Sequence, residues 1–329
     1  MLKYIIKRIL WIIPVMLGVI IIVFTITYFT PGDPVVTILG KGATDPDRYA
    51  AKAAELGLDK GYIGQLTSYI WGIVSRLDFG RSFASNVPIS VEIANRLPIT
   101  FRLNIVGLLL MVAIGLPLGM ISAIKQYSIL DTSLTSIALI GAAIPGFVVA
   151  LLALVLFGVV LRWLPLSGLS SFKSWILPVG SSAFGGVTVF LRMTRTTMLE
   201  VIRQDYIRTA RAKGQKEGIV IRKHALKNCL IPLTTVFGGF LTTLFSGSII
   251  VETIFAIPGM GMYLMSGITA RDYPVINGVV FMISFLICAI NLIVDIAYAF
   301  IDPRIRSQYI SKKREALIEA LMPTEGDAA

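Results

Sequence analysis

ILWIIPVMLGVIIIVFTITYFT, residues 9–30, is a run of 22 residues without a single charge. About 20 such residues in a helix cross the roughly 30 Å of hydrocarbon in a bilayer. The run is longer than the apolar core of a secretory signal peptide, about 7–15 residues, and no small-residue cleavage site follows it. It reads as a retained first membrane helix behind the cationic start MLKYIIKR. Working outward, five more spans are expected, at Leu103–Ile124, Leu134–Val160, Trp175–Met193, Ile231–Val251 and Asn277–Phe300. Pro14, Pro117 and Pro145 fall inside these spans, where neighbouring helices can satisfy the freed carbonyls.

The whole composition agrees. Of 329 residues 55% are hydrophobic and only 15% charged, where a soluble domain carries about 25% charged residues. The fold class is an all-α integral membrane protein with six transmembrane helices. A β-barrel is excluded, because its strands alternate apolar and polar residues over about 10 positions.

The net charge of +11 is local. If the N-terminus is cytoplasmic, the pieces 1–8, 125–133, 194–230 and 301–329 hold 18 Lys and Arg residues. The short opposite loops 161–174 and 252–276 hold only Arg162, Lys173 and Arg271. Cytoplasmic loops prefer Lys and Arg, so both termini are read as inside, in a multi-pass protein of a prokaryotic cytoplasmic membrane. This clustering speaks against nucleic acid as the partner.

The domain reading has four parts. Residues 1–30 are the N-terminal tail and first span. Residues 31–102 form a small extracytoplasmic subdomain that lies on the membrane face, with a helix over Tyr62–Leu77 in which Ile63, Leu66, Ile70, Ile73, Val74 and Leu77 recur at helical spacing. Residues 103–300 carry spans two to six and a loop at 195–230. Residues 301–329 are a cytoplasmic tail.

Sites of catalysis are not apparent. There is no GxxxxGK[ST] phosphate loop and no HExxH. His224 is the single histidine and lies in a loop; Cys229 and Cys288 are isolated thiols, best read as small buried hydrophobes. No cofactor and no metal is expected on the chain. Glu252 and Asp295 are acids near span ends, read as helix-end charges that find a partner. Thr235, Gly239, Thr242 and Ser246 share one face of the fifth span, and Ser181, Gly185 and Thr188 one face of the fourth. Small and hydroxylated stripes permit close helix packing, and they equally suit the lining of a polar path.

The loop is the feature that points to function. Residues 195–230 contain nine Lys and Arg against Glu200, Asp205 and Glu217. Within it, DYIRTARAKG, residues 205–214, reads as a short helix. Asp205 suits the positive end of the helix dipole, and Gly214 suits the position just past a helix C-terminus. Tyr206, Thr209, Ala210 and Lys213 share one face; Arg208, Arg211 and Ala212 share the adjoining one. A second helix is expected from about Ile219 into the fifth span. Two helices joined at a glycine make a rigid elbow, a docking surface for a soluble partner.

Arg208-Thr209-Ala210, three residues, Gly214, nine residues, then His224-Ala225-Leu226-Lys227 resembles the loop of ATP-binding-cassette importer permeases that reads Glu-Ala-Ala, three residues, Gly, nine residues, Ile-x-Leu-Pro. The residue types depart toward the dipeptide/oligopeptide/nickel branch. KRILWIIPVMLGVIIIVFTITYFTPGDP (7–34), LGLD (56–59), DFGRS (78–82), RLPITFRL (96–103), VETIFAIPGMGMYL (251–264), DYPVINGVV (272–280) and DPRIR (302–306) are similar to blocks of the same branch, first-permease type, and cover nearly the whole chain. The resemblance implies a type I importer-permease architecture and no enzyme activity. It implies as partners a second, homologous permease, two cytoplasmic ATPase subunits that carry ATP and Mg, and an extracytoplasmic solute-binding protein. It makes 205–214 the coupling helix; from their charge, Arg208, Arg211 and Lys213 are expected to meet acidic groups on the ATPase. It implies di- or oligopeptides as solute, with nickel or oligosaccharides as the alternative. An ion-driven secondary transporter, active without nucleotide, is the competing class.

Overall fold

The computed structural model describes residues 2–301. It is helical throughout; among the described residues the only strand-like pairing is an isolated bridge between Arg81 and Pro88. The first helix, α1, covers Leu2–Phe29 and keeps Pro14 within it. Three short helices follow: α2, Pro34–Leu39; α3, Pro46–Glu55; and α4, Tyr62–Arg76. Asp33 and Asp45 start the first two, each side chain accepting from two backbone N–H groups ahead of a proline at the first helical position. Asp33 also accepts from Tyr49 at 2.7 Å. Burial works against the Asp33 carboxylate, but these donors outweigh it and hold its pKa below the ordinary value.

Helix α5 runs Ile89–Ile124, 36 residues or about 54 Å at 1.5 Å per residue. The helix that carries the second span therefore begins well before Leu103, as one continuous rod. Next come α6, Ile129–Ala143, and α7, Gly146–Ala153, which continues as a π-helical segment over Leu154–Val160. Helix α8 is Phe172–Ile202 and α9 is Asp205–Ala212. A turn at Glu217–Ile219, α10, passes through a second π-helical segment, Val220–Ala225, into α11, Leu226–Ile254. The described residues end in α12, Met260–Ala270, and α13, Tyr273–Ile301.

Five helices are long and apolar enough to cross a membrane, and six crossings result if α6 and α7 together make one. Here the structure corrects the third span. Leu134–Val160 is not a straight rod: α6 and α7 meet at 101°. Ile144 and Pro145 are both extended, with ψ of 123° and 137°. The cause is local, because the proline ring removes a donor and disfavours helical geometry in the residue before it.

Three apolar clusters hold the bundle. One joins α1, α4, α12 and α13 with the start of α5, through Phe24, Ile73, Phe79, Ile89, Met260 and Val279. A second sits at the same end and joins α5, α7, α8 and α11 through Leu103, Ala150, Leu177 and Phe255. The third lies at the loop end and joins α5, α8, α9, the 220–225 segment and α11. Helix α8 packs chiefly on α5, and α1 chiefly on α13. The close approach of α5 and α8 depends on Gly119, where a Cβ atom would stand 2.6 Å from both the Leu191 carbonyl oxygen and the Thr194 Cβ. Large apolar side chains such as Trp11, Ile22, Ile137 and Ile293 remain on the surface of the spans, as they would against lipid.

Candidate functional site

The elbow forms as the spacing predicts, with α9 over 205–212 and a turn at Gly214. Gly214 has φ +73°, a conformation that glycine alone adopts at no steric cost. Its N–H donates to the Arg211 carbonyl at 2.9 Å, and the Gln215 N–H donates to the Ala210 carbonyl at 3.4 Å. These two bonds are the Schellman pattern that closes a helix end.

Two side-chain pairs brace the turn. Arg211 donates to Glu217 through Nε at 3.1 Å and Nη2 at 2.6 Å. His224 and Gln215 pair at 2.8 Å. The Arg211 guanidinium is thus engaged within the elbow and stays partly exposed. Arg208 stands 3.7 Å from Asp205, an exposed pair, and it, Thr209 and Lys213 are all exposed. Tyr206 is 44% exposed.

Ala210 is corrected as well. It does not share an outward face with Tyr206 but is buried together with Ile207. Both enter the apolar cluster of the loop end, against Met198 of α8, Val220 and Ile221 of the π-helical segment, and Cys229 and Leu233 of α11. Helix α9 is thus packed into the loop-end cluster by its inner face, chiefly against the 220–225 segment, and offers its other face to solvent. Ile207 was missed in the sequence as the anchor, although its position, three residues before Ala210, gives the inner stripe of a helix.

The two small-residue stripes part company. On α8, Ser181 and Thr188 are buried and Gly185 is exposed. Thr188 donates to the Gly185 carbonyl at 2.7 Å and its Cγ2 lies against Gly141 of α6, so it packs helices within this chain. Ser181 borders a cavity of about 440 Å³ between α7 and α8, together with Phe157, Trp163, Leu177 and Phe184, and its Oγ has no hydrogen-bond partner. On α11, Thr235 and Gly239 are exposed and Thr242 is half-buried, donating to the Gly239 carbonyl at 2.8 Å. The side chain of Ser246 lies outside the described residues.

Charged groups in the spans form built clusters. Asp295 pairs with Arg8 at 2.5 Å, joining α13 to α1. Glu252 is fully buried. It accepts from the Thr100 hydroxyl at 2.7 Å and from the Gly261 and Met262 N–H groups at 2.7 and 3.2 Å. The Thr100 oxygen in turn accepts from the Met260 N–H at 2.8 Å. The start of α12 is thereby capped by two side chains from other helices. A Cβ at Gly259 would fall 2.4 Å from a Glu252 oxygen, which explains the glycine there. Asp131, placed by the sequence reading in a cytoplasmic connection, is also buried: Arg195 donates to it through Nε at 2.7 Å and Nη2 at 2.8 Å.

A polar cavity of about 1130 Å³ opens between the 31–88 region and the helix ends, bordered by Phe24, Asp33, Tyr49, Arg81 and Asn277 among others. Among the described residues no three His, Cys, Asp or Glu side chains gather in a way that could hold a metal ion.

Five or six apolar helices long enough to cross a membrane, with one braced amphipathic helix at the end of the bundle, make this an α-helical multi-pass membrane protein. A family model described as the binding-protein-dependent transport system inner membrane component matches residues 115–307. A companion model for the N-terminal part of such membrane components matches residues 1–104. The chain belongs to the family of binding-protein-dependent transport system inner membrane components. It is 41% identical over 310 residues to a protein of Brucella abortus (strain 2308) described as a peptide transport system permease, covering 92% of this chain and 98% of the relative. It is 35% identical over 337 residues to the dipeptide transport system permease protein DppB of Escherichia coli (strain K12), covering 93% and 99%. It is 39% identical over 334 residues to DppB of Alkalihalophilus pseudofirmus, covering 93% and 100%. The chain is therefore a permease subunit of an ATP-binding-cassette importer, one component of a transporter complex and not an enzyme; ATP hydrolysis lies with other subunits.

Proposed function

We propose that this subunit moves di- or oligopeptides inward across the cytoplasmic membrane by alternating access, and that α9 is the helix through which ATP drives it. The observation that carries this reading is the seating of α9: Ile207 and Ala210 are buried in the apolar cluster of the loop end while Tyr206, Arg208, Thr209 and Lys213 are exposed. A short helix fixed to the bundle on one side and free on the other transmits a push. The peptide solute rests on the names of the relatives.

In this reading two ATPase subunits with bound ATP and Mg lie under the loop end, so residues 195–230, both termini and the tail at 301–329 are cytoplasmic. Residues 31–102 form the extracytoplasmic subdomain, next to which a solute-binding protein delivers its cargo. A second, homologous permease faces this one across the path. Thr235, Gly239 and Thr242, which α11 leaves at its surface, line that path from this side; Ser181 and Thr188 stay within the subunit. The cationic groups Arg208 and Lys213 meet acidic groups on the ATPase, and Arg211 acts by stiffening the elbow through Glu217. ATP supplies the bias between inward- and outward-facing states by binding the two with different affinity.

The test is Gly214→Val in the reconstituted complex. A β-branched residue at φ +73° costs about 1–2 kcal/mol and disturbs the elbow, while open space around the position spares the packing. ATP-dependent peptide uptake should be lost with the complex still assembled. Normal uptake in an assembled variant removes the elbow from the mechanism, and uptake by this chain alone in vesicles removes the importer reading altogether.

A further inference from the structure

The Asp131 cluster has no part in the function as described so far. Asp131 lies in the first turn of α6 and is 2% exposed. Both its oxygens are filled. Arg195 of α8 approaches as a two-toothed fork, Ser122 at the end of α5 donates to Oδ1, and the Tyr127 N–H donates to Oδ2 at 3.0 Å. A planar guanidinium on a carboxylate fixes direction as well as distance. The cluster therefore ties three helix ends into one body.

Its position matters because α6 is otherwise apart from the loop-end core. The buried and half-buried members of that core come from α5, α8, α9, the 220–225 segment and α11, and none comes from α6. Helix α6 meets the same body only along α8 and the end of α5, with Gly141 seated on Thr188 and Phe184 farther along. Beyond Ile144–Pro145 the chain changes allegiance: Ala150 of α7 belongs to the cluster of Leu103, Leu177, Val251 and Phe255 at the opposite end. The two halves of one crossing thus seat toward opposite ends of the same α5–α8 pair, at 101° to each other. The joint is uncrowded: Pro145 and Gly146 are exposed, and a Cβ at Gly146 would meet nothing within 4 Å.

Building on the coupling role proposed for α9, we propose that Asp131 is a positioning residue of the transmission. Its ion pair with Arg195 makes α6 travel with α8 and α9, and the crossing flexes at Ile144–Pro145. The push on α9 then reaches the membrane along α6 as well as along α8 and α11, while α7 keeps its seat in the cluster at the far end.

The experiment uses the complete reconstituted complex with paired spin labels. A label pair at Thr132 and Thr209, both exposed, should give one narrow distance that ATP binding does not change. A pair at Thr132 and Phe147 should change, because it spans the joint. In Asp131→Asn the Thr132–Thr209 distribution should broaden. Peptide imported per ATP hydrolysed should fall about tenfold, the shift that loss of one charge-assisted hydrogen bond brings, with basal hydrolysis and assembly kept. Arg195→Lys, which keeps the charge and loses the fork, should fall between the two. A Thr132–Thr209 distance that moves with ATP in the unaltered complex overturns the proposal, as does a narrow distance and full coupling in Asp131→Asn. If either variant assembles poorly, the unaltered label pairs still decide. A cysteine at Arg208 separates the two ideas: failure to cross-link to an ATPase subunit sinks the coupling role of α9, whereas cross-linking with a shifting Thr132–Thr209 distance sinks only the part given to Asp131.

Discussion

Glu252 is held by donors that carry no charge: a hydroxyl on α5 and two backbone N–H groups of α12. The start of a helix carries partial positive charge, so a carboxylate there needs no cation beside it. Glu252→Ala would strand the Thr100 hydroxyl and the Gly261 and Met262 N–H groups and leave a void, and should destabilise the subunit by roughly 3–5 kcal/mol, read as thermal unfolding of the purified complex; a loss below about 1 kcal/mol would show that the cap carries no weight. The sequence marks Glu252 as an acid at a span end. It does not mark Thr100, 152 positions away, because a tertiary hydrogen bond leaves no periodic trace. Asp131 is the stronger case. Its charge placed it in a solvated connection, yet Arg195, 64 positions on, removes it from water. Local charge statistics see the acid and the base and not the pairing.

At the scale of elements, the pattern of apolar runs locates the long helices well and their ends poorly. Hydropathy starts the second span at Leu103, while helix geometry starts α5 at Ile89: the extra turns stand outside the apolar layer, so their composition looks like that of the subdomain. The third span fails differently. Its apolar run continues straight through the bend at Ile144–Pro145, because hydropathy averages along the chain and is blind to direction; only the proline hints at it. The elbow was legible because every part of it is local, from Asp205 to the left-handed glycine. Helix contacts themselves are open to test. Gly119→Ala puts a methyl group into the 2.6 Å gap against Leu191 and Thr194, and should cost about 1–3 kcal/mol by forcing α5 and α8 apart, seen as a lower unfolding temperature. An unchanged temperature would mean that this seam is looser than drawn.

For the whole molecule, the excess of Lys and Arg at one end gives a sidedness that can be read chemically. Cysteines introduced at Lys213 and at Lys60, both exposed, should react with a membrane-impermeant maleimide from opposite faces: Lys213→Cys in inside-out vesicles only, Lys60→Cys in right-side-out vesicles only. The native thiols interfere little, since Cys229 is buried and Cys288 half-buried. Labelling of both from the same face would reject the arrangement of loops. The six-crossing estimate from composition agrees with the structure only if the bent pair α6–α7 counts as one crossing.

The pairing of α1 with α13, sealed by Arg8 and Asp295, has a consequence for biosynthesis. Helix α1 leaves the ribosome long before the helix that is its main wall. Until α13 has emerged, α1 must wait beside the insertion machinery or in lipid, and the bundle closes like a ring whose clasp is threaded late. A nascent chain halted before Asp295 would hold every intermediate segment and still lack that clasp, which makes late truncations the ones most apt to be degraded.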